Sequence, residues 1–140
     1  MSEALLTNDA SKTELEKLQG IWKTVAVEVD GSPLASPLFE HARLVIAGNR
    51  FTLRNTLPDA EQTLKGVFRL DASKVPMEMN LVLEDGQTFE EIFERAGNTL
   101  RVCYPIKSGH RPTGFKTTPQ SGLSLVIYER DLPVGEPKCP

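Results

Sequence analysis

From residue 20 onward, apolar and polar side chains alternate with period two along most of the chain, the pattern of strands with one buried face. Runs of this kind fall at 21–29, 42–47, 50–56, 63–70, 77–83, 88–95, 99–104 and 123–130. Turn chemistry separates most of them: Asp30-Gly31, Gly48-Asn49, Leu57-Pro58-Asp59, Asp71-Ala72-Ser73-Lys74, Glu84-Asp85-Gly86 and Ala96-Gly97-Asn98. No link between them is long enough for a crossover helix, so the strands are predicted to pair antiparallel and in chain order. Ahead of them, Ser11-Lys12-Thr13-Glu14 and Thr13-Glu14-Leu15-Glu16 each fit a capping box. Leu15 and Leu18 then share one face of a short helix that Gly20 can end.

Two connections are longer. Residues 32–41 contain Ser36-Pro37-Leu38, predicted as a single helical turn with Ser36 as its cap and Pro37 at the first helical position. Residues 105–121 are rich in Gly, Pro, Ser and Thr and have no periodicity. A connection of that length is expected to lie over or beside an open end, with Phe115 partly buried. Residues 1–10 read as a flexible polar arm and 132–140 as a Pro-rich tail, which leaves 11–131 as the folded domain.

An antiparallel sheet of about eight strands has two exposed edges. Closing it into an up-and-down β-barrel removes both, and a barrel of this size holds side chains or one small ligand. The expected fold is therefore all-β, an antiparallel barrel with a short N-terminal helix. Closure makes the first and last strands neighbours. Gly20-Ile21-Trp22 opens the first and Arg130 ends the last, so Trp22 can plug one end beneath a guanidinium.

A G-x-W after a short helix, about eight short strands and a terminal arginine resemble lipocalins and their calycin relatives. More specifically, the chain resembles a family of uncharacterised bacterial lipocalin-like domains, abundant in planctomycetes. The resemblance spans roughly 15–130. It runs through Leu18-Gln19-Gly20-Ile21-Trp22-Lys23, Glu28-Val29-Asp30-Gly31, Phe51-Thr52-Leu53 and Gly66-Val67-Phe68-Arg69-Leu70-Asp71. It continues through Arg111-Pro112-Thr113-Gly114-Phe115-Lys116 and Gly122-Leu123-Ser124-Leu125. The resemblance implies the lipocalin-like barrel and brings no substrate or catalytic residue with it. Gly114 stands where members carry a glutamate, so no carboxylate contact is carried over to that point.

Counting by twos from Trp22 puts Thr24, Ala26 and Glu28 inside, yet the opposite phase, Val25, Val27 and Val29, is the more apolar. A β-bulge or cover from the helix would reconcile the two. Elsewhere Leu44, Ile46, Leu64, Leu70, Met77, Met79, Leu83, Leu100, Ser124 and Val126 read as inward, and Arg54, Lys65, Arg69 and Arg101 as outward. The predicted ligand contacts are Phe51, Leu53, Phe68, Leu81, Phe93, Val102, Tyr104 and Tyr128, with the two phenols as polar handles. Gly20, Trp22 and Arg130 are expected to close the barrel.

Composition narrows the function. The 140 residues suit one domain, and 39% hydrophobic with 25% charged residues is globular. A net charge of -3 argues against nucleic acid as a partner. No apolar run has the length of a membrane span, and residues 1–9 lack the basic and apolar regions of a signal peptide, so a cytoplasmic location is expected. Cys103, Cys139, His41 and His110 show no metal-ligand spacing, and no nucleotide or haem motif is present, so no cofactor is expected. A reducing cytosol disfavours a Cys103–Cys139 disulfide.

Cys103 with His41 or His110 would be a nucleophile and base without a third orienting group. Glu90, Glu91 and Glu94 alternate with Phe89, Ile92 and Phe93 and read as surface positions. Glu28, if inward, would be a buried acid in need of a partner. Arg111 reads as structural, folding back on the barrel. The pattern favours non-catalytic binding of a small, mostly hydrophobic molecule, with charged probes binding poorly. The alternative is a protein-interaction module that uses the barrel wall and the 105–121 loop.

Overall fold

The computed structural model describes residues 9–57, 59–107 and 110–131. Helix α1 (Asp9–Leu18) leads into β1 (Gly20–Val29), a two-residue β2 (Ser32–Pro33) and a 3-10 turn (Ser36–Leu38). Then come β3 (Arg43–Ala47), β4 (Arg50–Leu57), β5 (Ala60–Asp71), β6 (Met77–Leu83), β7 (Thr88–Ala96), β8 (Thr99–Pro105) and β9 (Leu123–Arg130). From β3 to β9 each strand pairs with the next, and β1 pairs with both β3 and β9, which closes an eight-stranded antiparallel barrel. Strand β2 only folds back on the end of β1, Val29 opposite Ser32. This closed up-and-down barrel is consistent with a lipocalin-like, calycin-type fold. Residues 1–8, and the tail 132–140 with Cys139, lie outside the described residues.

A β-bulge between Thr24 and Ala26 settles the phase of β1. Before it, Trp22 and Thr24 point inward and are buried. After it, Val27 packs against the core, Ala26 is exposed, and Glu28 pairs with outward-facing Leu125. The conflict between the two phases is thus resolved by the bulge, with Ala26 and Glu28 on the outer face. One extra residue moves every later side chain to the other face.

The helix closes one end of the barrel. It already includes Asp9, so Ser11 and Thr13 lie within it and do not cap it. Ser11 Oγ instead accepts from the Ala72 amide at 3.0 Å. Glu14 receives Arg95 Nε at 2.7 Å and Nη2 at 3.2 Å, a two-pronged pair that is mostly buried. Likewise Ala35, not Ser36, caps the 3-10 turn, and no side chain bonds there.

The helix end leaves carbonyls without intrahelical partners. Trp22 Nε1 donates to Leu18 O at 2.9 Å. Arg130 donates through Nη2 to Lys17 O and through Nη1 to Gln19 O, both at 2.7 Å. Three consecutive carbonyls are thus satisfied by the two residues that meet at the β1–β9 seam, Trp22 opposite Arg130. The guanidinium lies 4.2 Å over the indole ring and takes its place at the helix C-terminus, where positive charge is favoured. Gly20 has φ +118, and a Cβ there would sit 3.2 Å from Arg130 Nη1. Trp22, Leu18 and Phe93 are 0% exposed and pack this end solid.

Gly66 lies in β5, where the strand is approached from both sides. A Cβ there would lie 2.2 Å from Val82 O and 3.0 Å from Phe51 Cε1. Gly66→Ala is expected to lower stability by about 1–3 kcal/mol, the range for overpacking, and an unchanged urea midpoint would contradict this.

The described residues of the 105–121 connection fold back on the outer wall, not across the mouth. Arg111 donates to Glu91 O at 2.7 Å and to Asn80 Oδ1 at 2.6 Å, and sits 3.6 Å from Glu78. Phe115 is half-buried with its ring 4.3 Å from the Arg101 guanidinium, which also pairs with Glu94. Thr117 Oγ1 accepts from the Gly31 amide at 2.7 Å, and Asp30 Oδ1 from the Gly122 amide at 2.6 Å. Beneath this strap Ile92 and Cys103, facing outward as cross-strand partners, are buried.

Candidate functional site

Above the packed floor the barrel is hollow. A cavity of about 260 Å³ is walled by inward side chains from β3 to β9, among them Ile46, Phe51, Phe68, Met79, Leu81 and Leu100. It continues into a wider mouth of about 580 Å³. The two spaces share Leu53, Leu64, Tyr104 and Tyr128 as lining. Leu34, Leu38, Phe39 and Ala42 of the connection before β3 form part of the rim. Asn55 Nδ2 donates to Leu38 O at 2.9 Å and ties that connection to β4.

Local sequence explains the hollow. In β4 and β5 the inward positions step from Phe51 to Leu53 and from Phe68 through Gly66 to Leu64. The missing side chain at Gly66 leaves the Phe51 ring room against β5. Toward the floor, Trp22, Phe93 and Leu100 are buried members of one apolar cluster. Toward the mouth, Leu64 is exposed although it lines the cavity.

Of the eight predicted contacts, Phe51, Leu53, Phe68, Leu81, Val102, Tyr104 and Tyr128 line the cavity. Phe93 does not: it lies wholly buried in the floor, opposite Met77 and Val102. Phe89 and Tyr104 meet edge to face, with ring centroids 6.3 Å apart at 82°. Burial pushes both phenols, Tyr104 and Tyr128, above the ordinary tyrosine value, so each remains a neutral donor and acceptor at physiological pH.

The polar wall also holds a residue placed on the surface by sequence reasoning. Glu90 and Glu94 are exposed, as expected, but Glu91 points into the cavity and is only 6% exposed. The reason is the phase of β7, in which Phe89, Glu91 and Phe93 share the inward face. Stepping two residues back from an inward Phe93 carries the signal, which the hydrophilicity of the Glu90-Glu91 pair obscures. Burial pushes the Glu91 carboxyl up to about 8, with the Arg111 guanidinium pulling the other way. No hydrogen bond or ion pair reaches this carboxylate from a described residue. Gln87 is the other polar side chain in the inner wall besides the phenols, and no basic residue lines the cavity or the mouth.

The Cys–His constellation is not assembled. Cys103 is buried beneath the outer strap, where burial raises its thiol pKa, whereas His41 and His110 are exposed. Among the described residues no group of three or more His, Cys, Asp or Glu could hold a metal ion. No described helix is long and apolar enough to cross a membrane. The chain matches no known family model and no curated protein sequence.

Proposed function

We propose that this barrel binds a small, largely apolar molecule, without catalysis, in the cavity between Phe68 and the mouth. The observation that carries the reading is the continuous hollow itself. It is apolar on nearly every wall, closed by Trp22 below and open above. Sites of this kind bury most of a ligand's surface and use a few polar groups to orient it. Tyr104 and Tyr128 supply hydroxyls at the waist between chamber and mouth. The resemblance to bacterial lipocalin-like domains agrees with a role as a small-molecule binder.

A fluorescent apolar probe is expected to bind the protein at micromolar concentration, with saturable emission. Phe68→Trp enlarges a side chain that already lines the chamber and is expected to weaken that binding by about tenfold or more, through lost volume. Probe binding that is absent from the wild type, or indifferent to Phe68→Trp, would count against the reading. A second reading, a protein-interaction surface, draws on exposed apolar side chains of the outer wall. Ile21 pairs with Val45 and Val67 with Val82, all four exposed. Absence of any probe binding would favour it.

A further inference from the structure

An acid inside an apolar barrel is expensive to keep. Leucine or methionine would pack at that position without the penalty of desolvating a carboxyl group, which is severe when no partner is present. Glu91 has apolar strand-mates on both sides, Phe89 and Phe93, and Met79 as its cross-strand neighbour on β6. The two phenols reach the same space from β8 and β9. Arg111 is the cation that acts on it, but Arg111 lies on the outer wall and is engaged elsewhere. Its donors go to the backbone carbonyl of Glu91, to Asn80 and toward Glu78. The carboxylate therefore faces the cavity with its hydrogen-bonding capacity unspent.

The surroundings decide which ligand group suits it. No lysine, arginine or histidine lines the chamber or the mouth, so an anionic ligand would meet no compensating positive charge. A neutral hydroxyl would satisfy the carboxyl group weakly. A protonated amine would form a charge-assisted hydrogen bond, strengthened by the water-poor setting. Phe89 and Tyr104 present aromatic surface on the same wall, which also attracts a cation.

We propose that the cavity selects apolar molecules that carry one basic nitrogen, seated as an ammonium group against the Glu91 carboxylate. This rests on the binding function proposed above and names its ligand class. It also revises the expectation that charged probes bind poorly. Under the proposal that expectation is kept for anions and reversed for cations.

Proton balance follows directly. A basic amine enters already protonated, and in the free protein burial keeps Glu91 mostly protonated below about pH 8. Forming the ammonium–carboxylate pair then sends the Glu91 proton to solvent. The titratable and charged groups around Glu91 are the Tyr104 and Tyr128 phenols from inside, and the Cys103 thiol and Arg111 guanidinium through the wall. None of these changes protonation in that pH range, so the released proton reports on Glu91.

The test uses three probes with one apolar body: naphthylmethylamine, naphthylmethanol and naphthoic acid, each titrated calorimetrically into the full chain. At about pH 8 the amine is expected to bind about tenfold or more tighter than the alcohol, and the acid weakest. Glu91→Gln, the neutral isostere, is expected to erase the amine's advantage over the alcohol. A readout that needs no variant is proton release by the wild type at about pH 6.5, from titrations in buffers of different ionisation enthalpy. Close to one proton per amine bound is expected. Equal binding of amine and alcohol, an amine preference that survives Glu91→Gln, or binding without proton release overturns the proposal and leaves the binding function standing. If none of the probes binds, both fall.

Discussion

Trp22→Ala is expected to lower the stability of this protein by about 3–5 kcal/mol, the range for emptying a large aromatic site in a core. That is a large share of the roughly 5–15 kcal/mol that holds a domain together. The loss has two parts. The indole is 0% exposed and plugs the floor against Leu18 and Phe93. Its Nε1 also supplies the donor for Leu18 O at the end of α1, which would be left without it. Arg130→Met keeps the aliphatic cover but removes the donors to Lys17 O and Gln19 O, together with the positive charge at the helix end. A double-mutant cycle between the two positions should show a coupling of about 0.5–2 kcal/mol, because the guanidinium stacks on the indole and both serve the same helix terminus. Urea unfolding must be followed by circular dichroism, since Trp22 is the single tryptophan of the chain. Additive effects would show that the seam is two independent contacts.

Glu91 makes stability depend on pH in the direction opposite to that of a salt-bridged acid. The folded-state carboxyl titrates at about 8 against an ordinary value of 4.5. Between those values the folded protein holds a proton that the unfolded chain has released. Stability from this group is therefore complete below about pH 4.5, is lost as pH rises, and is gone above about pH 8. The slope reaches at most about 1.4 kcal/mol per pH unit within that window. Glu91→Gln mimics the neutral acid at every pH. The two proteins should unfold at similar urea concentrations near about pH 5, and the variant should be the more stable near about pH 8.5. Comparing the two isolates Glu91 from the other carboxylates of the chain. Parallel pH profiles would show that Glu91 titrates as a solvated acid.

Much of the architecture was legible along the chain. Period-two alternation and the Gly, Asp and Asn turns are local properties, so strand number, order and antiparallel pairing follow from them with small errors at the ends. Strand β5, for example, extends back to Ala60 because its hairpin with β4 continues to Leu57. The pairing of Trp22 with Arg130 was legible for a different reason. Closure of a sequentially paired sheet leaves the first and last strands no other neighbours.

What the chain by itself left open depends on contacts between distant segments. The bulge at Thr24–Ala26 depends on how β1 registers against β9, about a hundred residues away. The placement of residues 110–121 on the outer wall depends on Arg111 finding carbonyls of β6 and β7, and on Thr117 meeting Gly31. Ser11 and Glu14 match a capping pattern, but tertiary partners at Ala72 and Arg95 take both side chains. Local hydrogen-bonding preferences are worth about a kilocalorie, and packing across the fold overrides them. Glu91 lies on the border between the two cases. Its inward phase was implied by Phe93, but the depth at which it sits, and hence its raised pKa, exists only once eight strands close around it. Whether the barrel is hollow or filled is likewise a tertiary fact. Period-two patterning says which side chains face the axis, and only the spacing of opposite walls says whether they meet.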